Sequence, residues 1–362
     1  MRSSLPAPIV GGPSTSITVS GTYPDSRYFS LSVYTPQGTP FSTQGVSSSL
    51  PDYKIAPERG STNPWQHRAA PGGRFQVTVR SAIASGGPNV LPLPSGTSAL
   101  HPGYLVYRAY LPAAGSASHL KLPTITVTQG SVSRTLTACR TEQPVTMPKK
   151  APSAPTPARK KLPPPPPDTF YNPGLAKSAG LPNADNSYVW AYLVRPTAQE
   201  VLVVSAKAPT SPPGSVPSPW PAPGEDMQYW SMCLYVGTST LPVVANHLQG
   251  GQLDYGCRAD DGTKLDAAGD YHYVIGSETQ RAAISRVAGA TFLPWSSTQT
   301  TPLYFLLLRN VLVNPAFAYS AQKVVQENSP RAAATALGPY YPEVSTCPLA
   351  TRVSKGVSAC ER

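Results

Sequence analysis

Two stretches, "RYFSLSVY" at residues 27–34 and "QYWSMCLY" at 228–235, decide how this chain is read. Each writes an aromatic pair, a serine, alternating residues and a closing tyrosine. The landmarks that follow them come in the same order. Asp52-Tyr53 answers to Asp254-Tyr255, "RFQVTVRS" at 74–81 to "DYHYVIGS" at 270–277, and "NVLPLPSG" from 89 to "TFLPWSST" from 291. Last come "GYLVYRAYLP" with Arg108 and "YFLLLRNVLV" with Arg309. Tyr28 to Leu91 spans 63 residues and Tyr229 to Leu293 spans 64, while Leu91 to Arg108 and Leu293 to Arg309 span 17 and 16. Loops differ between the copies but the order holds, which points to an internal duplication.

The repeated segments read as strands. "SITVSG" and "FQVTVR" alternate apolar and polar residues, with β-branched and aromatic side chains enriched. "YFLLLRNVLV" reads as a buried strand by its match to "YLVYRAYL". Helical spacing shows only at 315–327, where Phe317, Ala321, Val324 and Val325 fall near one face behind Pro315. The expectation is an all-β protein: two tandem jelly-roll-like β-sandwich domains, at 1–140 and 171–330, with residues 1–140 and 171–362 folding as separate units. The 315–327 stretch is the expected short C-terminal helix, and a C-terminal extension follows at 331–362.

Between them lies a Pro/Lys-rich linker at 141–170, whose Pro163–Pro167 run predicts a polyproline II spacer; a ligand for proline-binding domains is the other reading. A second proline-rich insertion, 210–225, has no counterpart in the first copy. The chain has 362 residues, 44 of them proline, and only 13% are charged, which suits short strands broken by turns rather than a helical enzyme. Its net charge of +11 admits anionic partners, but no nucleic-acid-binding signature is present and none is expected to bind. No apolar run is long enough for a membrane span. The amino terminus lacks a signal peptide's apolar core, so any export signal would already be missing.

"DNSYVWAYLVRP", "MQYWSMCLY", "YGCRADD", "LPDYKIAPERGSTNPW" and "GYLVYRAYLP" resemble the two halves of a group of uncharacterised secreted bacterial proteins. Each half is similar to the jelly-roll module at the carboxyl end of an uncharacterised family of exported bacterial proteins. The resemblance implies export and a β-sandwich, and no reaction. The polyproline spacer departs from that pattern.

Five cysteines, none in a Cys-x-x-Cys pair, fit disulfides in an oxidising compartment better than a zinc site; buried free thiols are the alternative. Cys233 and Cys257 would face each other if their strands pair, with Ser32 and Ile55 at the matching places in copy one. Cys347 and Cys360 are the second expected pair, which leaves Cys139. No N-glycosylation sequon occurs.

The five histidines, His67, His101, His119, His247 and His272, share no metal-ligand spacing, and no nucleophile elbow or phosphate loop is written. His272 alternates with Tyr271 and Tyr273, so it faces away from them. Asp260, Asp261 and Asp266 form a candidate calcium loop, against which stands an ordinary turn. Arg108 and Arg309 interrupt apolar strands at equivalent places, and a buried guanidinium needs partners. Asp52 and Asp254 are the expected ones, unless the arginines bind a carboxylate or sugar. Trp65, Trp220 and Trp295 lie in loop contexts and are the candidates for contact with a partner.

Three functions from different classes follow. The first is a non-catalytic extracellular structural or adhesive protein that assembles with itself, as homo-oligomer or polymer, or with a cell-surface or extracellular polymer. The second is a carbohydrate-binding module. The third is a hydrolase or isomerase with a loop-borne site. No cofactor is expected.

Overall fold

The computed structural model describes residues 5–9, 14–70, 72–81, 87–97, 102–113, 120–137, 165–174, 180–238, 241–299 and 301–361. In chain order the strands are β1 (Leu5–Ile9), β2 (Thr15–Thr22), β3 (Ser26–Tyr34), β4 (Ser42–Thr43), β5 (Val46–Ser47), β6 (Ser49–Pro51), β7 (Arg74–Arg80), β8 (Val90–Pro92), β9 (Gly103–Pro112), β10 (Thr124–Gln129) and β11 (Val132–Thr135). Then follow β12 (Asn186–Val194), β13 (Glu200–Lys207), β14 (Met227–Val236), β15 (Ala245–His247), β16 (Leu253–Tyr255), β17 (Cys257–Ala259), β18 (Asp270–Gly276), β19 (Ala290–Pro294), β20 (Leu303–Val313) and β21 (Glu343–Pro348). The helices are α1 (Arg281–Ile284), α2 (Pro330–Leu337) and α3 (Leu349–Lys355). The fold is mostly β.

The chain divides into two units. The first is Met1–Lys161 with Leu175–Asp185 and Pro213–Ala222; the second is Leu162–Gly174, Asn186–Pro212 and Pro223–Arg362. Two short pieces of the second half therefore belong to the first unit, a division that the expected boundaries did not contain. Most of the Pro/Lys-rich linker, and Cys139, lie outside the described residues.

Among the described residues, the first unit has one sheet in the order β1-β9-β3-β6 and another in the order β11-β10-β2-β7-β8. The second unit has β12-β20-β14-β17 and β19-β18-β13-β21. Strand for strand, β1, β9, β3 and β6 occupy the order that β12, β20, β14 and β17 repeat. The other sheets agree too, with β10, β2, β7 and β8 matched by β21, β13, β18 and β19. In both, one neighbouring pair is parallel, β7 with β8 and β18 with β19, where a regular jelly roll is antiparallel throughout.

Alternation builds each core. Phe29, Leu31 and Val33 of β3 point inward with Ile17, Val19, Phe75, Val77, Val79 and Leu105. Trp230, Met232 and Leu234 of β14 do the same with Val204, Tyr273, Leu306 and Leu308. Each such apolar side chain contributes roughly 1.5–3 kcal/mol on full burial. β3 is buried along its whole length, polar face included. That marks something covering its outer side.

Residues 331–362 are no appendage. β21 pairs with β13 from Glu200↔Pro348 to Ser205↔Glu343, and Ala333, Leu337 and Val344 sit in the core. The helix expected at 315–327 does not form; only Ala321–Lys323 makes a single 3-10 turn. Side-chain amides satisfy this backbone in place of helical bonds. Asn310 Oδ1 accepts the Ala321 N–H at 2.9 Å, and Asn172 Nδ2 donates to the Val324 carbonyl at 2.7 Å. The helix starts later, at Pro330, where the Ser329 hydroxyl accepts the Ala332 N–H.

Candidate functional site

Both arginines are only 4% exposed and lie on outer sheet faces. Arg108 Nη2 donates to the Leu181 carbonyl at 2.5 Å, and its guanidinium lies 5.2 Å from the Tyr34 ring. Arg309 donates to Ser231 Oγ (3.2 Å) and to the Tyr235 hydroxyl (3.3 Å), over the Tyr188 ring. The expected acids serve elsewhere. Asp52 accepts the N–H of Phe29 and of Tyr53, and Asp254 binds Arg258 and Arg281. The true counterpart of Asp52 is Asp260: each opens a 3-10 turn directly after the edge strand.

Residues 180–185 explain the buried outer face of β3. Tyr34 donates to the Pro182 carbonyl at 2.7 Å, and Tyr28 donates to Asp185 Oδ2 at 2.8 Å. Ser49 donates to the same carboxylate oxygen at 3.1 Å. Leu181 packs on Tyr34, Tyr104 and Val106. Burial pushes the Asp185 carboxyl above its ordinary range, against the pull of the Tyr28 and Ser49 hydrogen bonds. An acid with a raised folded value stabilises the fold below its unfolded value, and this is lost as pH rises through the folded one. Asp185→Asn keeps an acceptor oxygen and removes the charge. We expect its stability relative to wild type to improve from acidic to neutral pH in urea titrations. A difference that worsens with rising pH would refute this.

The three tryptophans are buried, not offered to a partner. Trp65 is 0% exposed, Trp295 2% and Trp220 6%. Trp65 and Trp295 are core residues of their units. The Trp220 N–H donates to the Trp65 carbonyl at 2.8 Å, tying 213–222 to the first unit. Loop composition foretold irregular backbone but not that these loops fold inward.

The expected calcium loop does not assemble. Among the described residues no three His, Cys, Asp or Glu side chains gather as a metal set. Asp260 accepts from Ser211, the Asp261 N–H donates to Asp260, and Asp266 turns to His272. His272 is 3% exposed, with Nε2 3.0 Å from Asp266 and Nδ1 2.6 Å from Glu361. The two carboxylates meet opposite ring nitrogens, so they fasten the imidazole rather than share an ion. Glu361 also takes Arg352 Nη1 at 3.4 Å, and Cys360 beside it is bonded to Cys347 on β21. Burial pulls the Arg352 guanidinium below its usual range, and Glu361 opposes this. The cluster locks the carboxyl-terminal segment onto the sheet.

The His272 hydrogen bond, with N–H donors from Asp270 and Ala268, holds the Asp266 carboxyl below its ordinary range. That stabilisation is present above the unfolded aspartate value and is lost as pH falls through the lowered folded one. Protection factors of the 266–272 amides, taken against the intrinsic exchange rate at each pH, should therefore fall in acid, and Asp266→Asn should flatten the profile. A wild-type profile as flat as the variant's would contradict this.

A different feature is open to solvent. Phe317, Tyr319 and Tyr340 stand around a small cleft. Phe317 meets Tyr340 edge to face at 5.0 Å, and Tyr319 lies 5.8 Å from Tyr340. Tyr319 is 40% exposed. Gly338, at φ 52°, backs this ring, since a Cβ there would stand 2.6 Å from it. Lys207 lies 5.9 Å over the Tyr340 ring. Tyr271 and Leu308 line the inner side.

A similar fold is found in a solved bacterial protein. The chain is similar to an uncharacterised protein from Burkholderia cenocepacia at 12% identity, with a TM-score of 0.50, covering 96% of this chain and 82% of that one. It also matches the VPA0106 protein from Vibrio parahaemolyticus at 12% identity and a TM-score of 0.42, over 95% and 88% of the two chains. At 12% identity the first of these likenesses concerns fold alone. No protein-family model matches the chain, and no curated protein does.

Sequence reading missed the cleft. Phe317 was noticed only as one face of a helix that does not form. Tyr319 and Tyr340 lie 21 residues apart, and the turn at Gly338 is what brings them together.

Proposed function

We propose that this chain is a non-catalytic extracellular assembly protein: two β-sandwiches of common origin on a proline-rich spacer, meeting further copies of itself or a surface polymer. The observation that carries this reading is how the buried ionisable groups are used. Asp185 and Arg108 hold residues 180–185 on one sheet, and Glu361, His272 and Arg352 hold the carboxyl terminus on another. Each cluster fastens chain to chain. The matching strand order of the two units, apart from the extra β11, supports a duplication, and so does the position of the Cys233–Cys257 bond. It joins paired residues of β14 and β17, where the first unit pairs Ser32 with Ser49 on β3 and β6. Two disulfides are compatible with an oxidising, extracellular setting. Among the described residues no helix is long and apolar enough to cross a membrane.

Sedimentation velocity of the full chain over a wide concentration range tests the reading. Concentration-dependent association, or co-sedimentation with an insoluble extracellular polymer, is the expected result. A chain that stays monomeric and binds no polymer would remove it. Carbohydrate binding is the second reading, favoured by the aromatic cleft, and a glycan array addresses it.

A further inference from the structure

Proteins blunt the edges of their sheets, because an open row of N–H and C=O groups pairs with any strand that reaches it. Among the described residues, the large sheets of this chain are blunted at every edge but one. β1, β6, β8, β19 and β21 each carry proline, at Pro6 and Pro8, Pro51, Pro92, Pro294 and Pro348, and proline cannot donate to a neighbour. β12 is covered: Tyr171 and Trp190 exchange both backbone hydrogen bonds, at 3.0 and 2.9 Å. β17 is three residues long and runs straight into the turn at Asp260. β11 has none of these devices. All of Val132–Thr135 is exposed, without a proline. The second unit has no counterpart of β11, since its matching sheet ends on β21.

What β11 offers follows from its register. The Leu136 N–H donates to the Ile125 carbonyl at 2.8 Å. By antiparallel alternation Val132, Arg134 and Leu136 therefore turn their backbone groups toward β10, and Ser133 and Thr135 turn theirs outward. The Ser133 and Thr135 hydroxyls lie on the outer sheet face, 2.9 Å from that of Thr128 and 3.1 Å from that of Thr126. Thr135 ends a row of threonines in register, Thr78, Thr18, Thr126 and Thr135. On the other face Val132 and Leu136 are 69% and 37% exposed.

A second copy of β11 fits this edge better than a foreign peptide. An added peptide strand takes its specificity from pockets beside the edge, whereas every side chain of β11 stands exposed. A second β11 brings its own match. Antiparallel about a two-fold axis at Thr135, it bonds Thr135 to Thr135 and Ser133 to Thr137 through outward-turned groups, and it carries the threonine row across the axis. Arg134 then lies opposite Leu136 of the other strand and covers it with its apolar stem. An axis at Arg134 would set two guanidinium groups opposite each other. An axis at Ser133 would leave Leu136 facing Gly130, which belongs to the turn.

We infer that β11 is a self-pairing edge: two copies of this chain join antiparallel through it, about an axis at Thr135, into one continuous sheet. This rests on the assembly reading and names its contact. The contact is isologous and closes at a dimer. It is small, at the weak end of specific interfaces.

Full-length variants test it. Thr135→Pro removes an outward N–H and leaves the bonds of Arg134 and Leu136 to β10 in place. Thr135→Lys keeps the backbone and sets two like charges on the axis. In sedimentation equilibrium wild type should dimerise, and each variant should do so about tenfold more weakly, equivalent to about 1.4 kcal/mol. The urea midpoint of Thr135→Lys should stay near that of wild type. In a Cys139→Ser background, Thr135→Cys should oxidise to a covalent dimer, because residues paired on the axis have Cα atoms about 5.5 Å apart. Ser131→Cys, equally exposed, should not. Amides of Ser133 and Thr135 should gain hydrogen-exchange protection as concentration rises. Self-association unchanged in both Thr135 variants overturns the edge and leaves the assembly reading intact. Protection that is the same at every concentration in a monomer means that the chain's own residues beyond 137 hold the edge, which overturns the second copy. Protection gained only on adding an extracellular polymer overturns it too. A wild type that stays monomeric overturns the self-pairing, and the assembly reading then stands or falls on co-sedimentation with polymer.

Discussion

Trp65→Ala is expected to destabilise the first unit by about 3–5 kcal/mol, the range for deleting a fully buried large aromatic. The ring is 0% exposed and lies against Phe29 at 5.0 Å and Tyr23 at 6.1 Å. Its Nε1–H donates to the Arg27 carbonyl at 2.8 Å, so truncation also leaves a buried acceptor short of a partner. Its backbone is held by Asn63, whose Oδ1 accepts the Trp65 N–H and whose Nδ2 donates to the carbonyls of Asp52 and Ile55. The ring thus anchors an irregular loop to the core. Trp65→Phe should recover much of the loss. Urea unfolding, followed by hydrogen exchange in β3 and β7, reads the effect where it should fall. A cost below 1 kcal/mol, or protection lost equally in β14 and β18, would show that the ring is not a core element of its own unit.

Cys233→Ser with Cys257→Ser should cost the second unit about 2 kcal/mol. Closing a loop with a sequence separation of 24 residues is worth about 3 kcal/mol in the chain-entropy model. A serine pair returns about 1 kcal/mol as a hydrogen bond. The first unit already contains that replacement: Ser32 Oγ and Ser49 Oγ are 3.0 Å apart, at the cross-strand position of the cysteines. Ser32→Cys with Ser49→Cys is the reciprocal change and should stabilise the first unit. Urea midpoints with and without reductant measure both. A cysteine-less second unit as stable as wild type would mean that the unfolded chain gains little freedom on losing the bond.

The strand cysteines were legible because register follows from alternation. Once β14 and β17 pair, Cys233 faces Cys257. Ile55, named from the sequence as the match of Cys257, was wrong by a loop: the residue opposite Ser32 is Ser49. Loop lengths differ between the two units, and counting along a chain does not see where a hairpin turns. Asp254 failed as the counterpart of Asp52 for the same cause; that place is taken by Asp260.

Exposure of loops was not legible. Trp65, Trp220 and Trp295 looked available because proline, serine and glycine surround them. Composition reports how the backbone runs, not whether that backbone is folded back on a core. His272 shows the converse. Its strand position correctly turned it from Tyr271 and Tyr273, but the acid that covers it comes from Glu361, 89 residues later.

From its sequence alone this chain is determined to be β-rich, with strands whose inward faces follow period-two alternation, because that pattern is local and repeats residue by residue. The Cys347–Cys360 pairing was also within reach, being 13 residues apart on one short segment. Only the tertiary structure decided that 180–185 covers β3, that 213–222 joins the first unit, that β21 completes a sheet, and that Phe317, Tyr319 and Tyr340 surround one cleft. Each depends on long-range closure, where the contact free energy is set by shape and partner geometry at a distance that no local pattern encodes.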